Sequence, residues 1–271
     1  MATPAAPGKP ARSETGETVR FLLKLALFVF VLRSFIFSPF SIPSESMLPR
    51  LLIGDYLFVS KWNYGYSRWS LPLGIPLIPG RIFASTPTRG DTVVFRSLGP
   101  DDHDVIKRVI GLPGDTIQMQ NGQLFLNGKA IPKQRIADFT LPLTPNFDAT
   151  HCESDFQDTD AAGQPICRYR QYRETLPGGR SYRVLDQRDI PEADDTGLYT
   201  VPAGNVFLMG DNRDDSADSR FAAPRGMGYI PLERIEGKAM VGFFSTDGSA
   251  EWLKPWTWFS AARWERIGEG F

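Results

Sequence analysis

The longest continuous apolar stretch lies near the start of the chain. Residues 21–37 read FLLKLALFVFVLRSFIF, with their two charges, Lys24 and Arg33, within a few positions of either end. As a helix this run extends about 25 Å, a little under the roughly 30 Å of a bilayer's hydrocarbon core. The stems of Lys24 and Arg33 can snorkel to cover the difference. The run is apolar on every side, which argues against a helix laid on a core by one stripe. Bulky residues at 35–40 leave no small-x-small cleavage site, so the pattern predicts an uncleaved transmembrane anchor over residues 20–37. Residues 1–19 are rich in Ala and Pro and without apolar periodicity, which predicts a disordered tail. Lys9, Arg12, Arg20 and Lys24 stand on the N-terminal side of the run and Arg33 alone on the other. That bias puts the tail in the cytoplasm and residues 38–271 across the membrane.

Beyond residue 38 the pattern shortens to strand-like segments. Residues 51–59 read as a turn entering a strand, and strands are expected at 92–96, 105–110 and 116–120, each bounded by Gly or Pro. Asn121-Gly122 and Asn127-Gly128 are favoured type I′ hairpin pairs, so this part should be an antiparallel meander. Residues 62–90, rich in Trp, Tyr, Pro and Gly, read as a long loop. From 130 to 195 the chain turns polar and reads as an inserted β and loop subdomain, after which strand signals return at 197–201 and 206–209. The expected architecture is mostly β: a single N-terminal transmembrane helix, then an antiparallel domain from residues 38–129 and 196–271, interrupted by the insert.

Composition supports that picture. The chain has 25 glycines and 22 prolines in 271 residues, well above the average usage of about 12% for the two together, as a turn-rich β protein requires. With 30 Lys and Arg against 31 Asp and Glu, and no dense basic stripe beyond the N-terminal region, nucleic acid is not an expected partner. His103 and His151, Cys152 and Cys167 are the only residues of their kinds and form no zinc-ligand spacing, so neither a metal nor a cofactor is expected. His103, within a run of aspartates, reads as a solvated turn residue and gives only a weak signal for a Ser-His-Asp triad. Cys152 and Cys167 can pair in an oxidising compartment or stay as two unrelated thiols in a reducing one; the topology above favours the disulfide.

Three stretches carry candidate chemistry. In Pro43-Ser44-Glu45-Ser46-Met47-Leu48-Pro49 two prolines exclude a continuous helix or an interior strand, leaving a stiff loop that presents Ser44 and Ser46 beside Phe40 and Ile42. Taken alone, this is ordinary turn chemistry. Lys107 shares a strand face with Val105 and Val109, where it reads either as an edge-strand guard or as a lysine whose pKa burial lowers until it can act as a base. Residues 210–220, GDNRDDSADSR, lack the central Gly of a calcium loop and put Arg213 at a ligand position. They read as a solvated turn or as a buried polar network in which every member needs a partner.

In combination these stretches resemble a known family. The order of Pro-Ser-x-Ser-Met (43–47), Gly-Asp (54–55), Arg-Gly-Asp-x-Val-Val-Phe (89–95), Ile-Lys-Arg-Val-Ile-Gly-Leu-Pro-Gly-Asp (106–115) and Gly-Asp-Asn-Arg-Asp-x-Ser-x-Asp-Ser-Arg (210–220) resembles bacterial signal peptidase I over most of the chain beyond residue 20. The resemblance implies a Ser-Lys dyad of Ser46 and Lys107, with an oxyanion hole from the Ser44 hydroxyl and the Ser46 N–H. It also implies that Ser216 orients the Lys107 amine, with Asp218 and Arg220 as a supporting ion pair. Ile42, Met47, Leu51, Val105 and Ile106 match or neighbour the family's substrate pockets. The implied substrates are secreted preproteins cleaved after Ala-x-Ala, and the implied partners are the phospholipid membrane and the protein export machinery, at the bacterial inner membrane with the catalytic domain on the periplasmic side. Glu45 stands where the family often has Gly, and Arg50 where it often has a small polar residue. A relative that matures one dedicated substrate, or a silent anchored β module that binds exported chains, are the other readings. The joint presence of Ser46 and Lys107 separates the last of these from an enzyme. Trp252, Trp256, Trp258 and Trp264 suit either a core or a membrane-surface contact.

Overall fold

The structure, a computed structural model, describes residues 14–98, 103–251 and 253–271. Residues 1–13 of the expected tail, with Lys9 and Arg12, lie outside the described residues, as do Asp101, Asp102 and Trp252.

The first element, α1, is an α-helix over Glu14–Val31. It starts inside the stretch 1–19 expected to be a tail. Glu14 and Glu17 in its first turn favour the positive end of the helix dipole, and the Thr18 hydroxyl donates back to the Glu14 carbonyl at 3.0 Å. A π-helical turn, Leu32–Ile36, continues directly from Val31, and Phe37 then enters a strand. Among the described residues no helix is long and apolar enough to cross a membrane. Yet α1 buries none of its side chains, and Phe21, Leu23, Leu27 and Phe28 are each more than 60% exposed.

The rest is β, built on a seven-stranded sheet in the order Phe37–Ser41, Asp55–Ser60, Ile235–Ser245, Thr92–Arg96, Asp104–Gly111, Asn205–Met209, Ile230–Pro231. Every neighbouring pair in it is antiparallel. The central strands are buried on both faces, as in the Thr92–Arg96 segment, where four of five residues are buried. A smaller sheet holds Tyr199–Thr200, Thr116–Gln120, Gln123–Leu126 and Lys129–Ala130. Its two turns are Asn121-Gly122 and Asn127-Gly128, all four residues at positive φ, as a type I′ turn demands.

Residues 62–90 contain more order than a loop. Short 3₁₀ turns and a two-stranded pair, Tyr66–Ser67 with Arg81–Ile82, fold the excursion back on itself. The insert forms its own four-stranded sheet from Lys133–Pro142, Gln157–Thr159, Pro165–Thr175 and Ser181–Leu185. It has no separate core: Leu141, Phe147, Tyr169 and Leu185 pack with Leu48, Leu52 and Ile53. Cys152 and Cys167 are joined in a disulfide within that shared cluster. Trp256, Trp258 and Trp264 are exposed rather than part of a core.

Candidate active site

The segment 43–53 is a loop closed at its base. The Ile42 N–H donates to the Asp55 carbonyl at 2.8 Å, and the Gly54 N–H returns to the Ile42 carbonyl at 3.0 Å. Inside the loop, Leu48 N–H donates to Glu45 O and Leu51 N–H to Met47 O, while Met47, Leu48 and Leu51 are fully buried and hold the turn down. Ser46 rides on this turn. Lys107 comes from the strand Asp104–Gly111, where it faces Val93 across the pairing with Thr92–Arg96. Its Nζ donates to Ser46 Oγ at 2.6 Å and to its neighbour's carbonyl, Ile106 O, at 3.0 Å. Ser44 Oγ lies 3.5 Å from Ser46 Oγ. Among the described residues no acceptor engages the Ser46 N–H.

Lys107 is only 4% exposed and, among the described residues, makes no hydrogen bond to a carboxylate. Burial lowers its pKa from 10.5 to about 8, against the opposing pull of Asp218 and Asp211. A fully buried ion pair stands behind it. Arg220 Nε donates to Asp218 Oδ1 at 2.9 Å, and Asp218 Oδ2 accepts the Gly210 N–H at 3.0 Å. Burial alone would raise the Asp218 carboxyl, but the charge and hydrogen bonds of Arg220 outweigh it and hold the pKa below its ordinary value.

The loop 210–220 is interlocked with the serine loop. Asn212 N–H donates to Ser46 O at 3.1 Å and Asn212 Nδ2 to Glu45 O at 3.3 Å. Gly210 passes so close that an added Cβ would lie 2.5 Å from Ser46 O and closer still to Ser216 Oγ. A larger residue there would push the serine aside.

Ser216 differs from what the resemblance implies. Among the described residues its buried Oγ has no hydrogen-bond partner, and the Lys107 amine is held by Ser46 and Ile106. Arg220 Nη1 and Asp214 Oδ1 are likewise buried without partners among the described residues, where the network is not completely paired.

Two clefts open from the Ser46–Lys107 pair. One, of about 220 Å³, is walled by Phe40, Ile42, Pro43, Val94, Val105 and Ile106. The other, of about 660 Å³, is walled by Glu45, Ser97, Asp215, Ala217, Ala223 and Met227. Ile42, Val105 and Ile106 thus reach the smaller cleft. Met47 and Leu51 do not, because with no exposed surface they belong to the core beneath it. His103 borders both clefts and its N–H bonds Ser97 Oγ. Among the described residues no group of His, Cys, Asp and Glu could hold a metal ion.

The profile of a family described as "Signal peptidase, peptidase S26" matches residues 15–244. The chain belongs to the signal peptidase family S26. It is therefore a serine peptidase, a hydrolase. Among its relatives in that family is the signal peptidase I of Rickettsia typhi, 37% identical over 251 residues, covering 86% of this chain and 83% of the relative. Another, the signal peptidase I of Rickettsia akari, is 36% identical over 252 residues, covering 87% and 83%. A solved signal peptidase I from Enterococcus faecalis V583 aligns over 57% of this chain and 97% of its own, with 24% identity and a TM-score of 0.29.

Several residues that brace the loop 210–220 were not singled out from the sequence. Arg108 clasps Asp211 with two hydrogen bonds, 2.7 and 2.5 Å, and donates to Gly90 O. The alternation that sets Lys107 on one face of its strand sets Arg108 on the other, and this was the available clue. Arg213 bonds Glu174, which accepts from Tyr182 OH at 2.7 Å. No local signal pointed to these partners, which lie in the insert.

Proposed function

We propose that this chain is a membrane-anchored endopeptidase that cleaves N-terminal signal peptides from exported preproteins after an Ala-x-Ala-like site. The observation that carries it is the 2.6 Å hydrogen bond between a buried lysine amine and Ser46 Oγ. Near pH 8 a large share of Lys107 is neutral, so it can accept the Ser46 proton as Oγ attacks the scissile carbonyl. The developing oxyanion is received by the Ser46 N–H and the Ser44 hydroxyl. Lys107 then hands its proton to the leaving amine, and an ester on Ser46 remains. Water, deprotonated by the same lysine, hydrolyses it.

The substrate enters as an extended strand. Asn205–Met209 pairs with the strand of Lys107 only from Arg108 onward, which leaves the backbone of residues 104–107 open on that side. A peptide adding there lays alternate side chains toward the cleft at Ile42, Val105 and Ile106, whose 220 Å³ suits small residues such as Ala. Support for anchoring comes from the uncovered apolar side chains of α1, continued by the π turn, which a lipid phase would cover. The N-terminus then lies in the cytoplasm and the β domain on the periplasmic side, where the export machinery delivers its preproteins. Exposed Trp258, Phe259 and Trp264 would rest at the lipid surface.

The test uses the full chain in detergent with a preprotein carrying an Ala-x-Ala site. The wild type should release a mature protein beginning after that site, whereas Ser46→Ala and Lys107→Ala should each lose activity by about 10²-fold or more. Wild-type rates from either well-folded variant would contradict the dyad.

A further inference from the structure

Away from both clefts, and sharing no wall residue with them, lies a pocket of about 460 Å³. Five of its lining residues are arginines: Arg50, Arg108, Arg173, Arg180 and Arg183. Tyr182 forms part of the wall, and no acidic side chain is among its lining residues. Carboxylates nearby are already shared. Asp91 serves both Arg180 and Lys238 at 2.7 Å each, Glu269 serves Arg50 and Arg266, and Asp211 is clasped by Arg108.

Arg173 and Arg183 have no ion-pair partner among the described residues, and they stand directly opposite each other in the pairing of Pro165–Thr175 with Ser181–Leu185. Like charges in that position oppose strand pairing. The charge of Arg183 is felt at Arg50 as well. Burial lowers its pKa; Glu269 opposes this, and the charges of Arg183 and Arg108 add to the lowering.

We propose that this arginine pocket is a binding site for a phosphate-bearing anion. Guanidinium forks match phosphate oxygens in paired hydrogen bonds, and a doubly charged group would relieve the opposition of Arg173 and Arg183. Three of the five donors are already oriented: Arg108 by Asp211 and the Gly90 carbonyl, Arg180 by Asp91, and Arg50 by Glu269. Five guanidinium groups meet in this one pocket on a chain of net charge −1 that carries no long basic run, which fits a single phosphate group rather than a nucleic-acid backbone. That group can come from free phosphate or from a lipid headgroup.

The full chain in neutral detergent, at fixed ionic strength, is titrated calorimetrically with inorganic phosphate and, separately, with dihexanoyl phosphatidic acid. Wild type is compared with the double variant Arg173→Gln/Arg183→Gln and with Arg173→Lys/Arg183→Lys. Saturable binding by the wild type should weaken about tenfold or more in the Gln pair and less in the Lys pair. Cleavage of a preprotein at an unchanged rate shows that the Gln pair is folded. Binding of phosphate alone identifies a soluble anion as the source, binding of the lipid alone identifies a headgroup, and binding of both identifies the phosphate group itself; each supports the site. Failure of both probes to saturate the wild type, or equal binding by the wild type and the Gln pair, overturns it.

Discussion

Lys107 and Arg220 are both cations removed from water, and the fold treats them in opposite ways. Arg220 is fully buried against an equally buried Asp218, with three hydrogen bonds to that carboxylate from its backbone and guanidinium nitrogens. Lys107 is buried almost as deeply but bonds only a hydroxyl and a carbonyl. Burial with a matched counter-charge yields a fixed strut, in which the carboxylate stays ionised. Burial without one yields an amine that gives up its proton near pH 8. The same desolvation thus makes structure on one side of the site and chemistry on the other, and the difference is the placement of one carboxylate.

The strongest way to break this comparison is to remove that carboxylate. Asp218→Asn strands Arg220 in the interior and should cost about 3–5 kcal/mol of stability, measured by urea unfolding. Because Asp218 holds the Lys107 pKa up, any folded Asp218→Asn enzyme should also show its acid limb shifted to lower pH. Next is Ser44, whose hydroxyl lies 3.5 Å from that of Ser46. If it serves the oxyanion, Ser44→Ala should raise the barrier by about 2.7–4 kcal/mol, seen as a fall in kcat with stability unchanged. A smaller effect is expected at Asn212. Asn212→Ala loses the side-chain bonds to Glu45 O and Asp215 but keeps the backbone bond to Ser46 O. It should cost about 1 kcal/mol in stability and a few-fold in kcat.

The parts of this site that were legible in the sequence are those set by local chemistry. Pro43 and Pro49 bracket the serine loop, Asn-Gly pairs set the hairpins, and strand alternation singled out Lys107. Packing over distance was not legible. The excursion at 62–90 showed no periodicity because its turns are single and its strands two residues long. The insert read as a separate body because its surface is polar, whereas its apolar residues complete a core begun by Leu48, Leu52 and Ile53. Met47 and Leu51 read as pocket residues only through the family resemblance, but the turn directs them into the core. Glu174 meets Arg213 across 39 positions, which no local pattern encodes.

In the proposed dyad Lys107 acts as the neutral amine, so activity should rise as pH increases through its pKa in the folded enzyme. The most direct measurement is kcat/KM for a preprotein against pH, which reports the groups of the free enzyme. The account predicts an acid limb with an apparent pKa of about 8, displaced downward in folded Asp218→Asn. A rate independent of pH between about 6 and 9 would show that no lysine of this kind serves as the base.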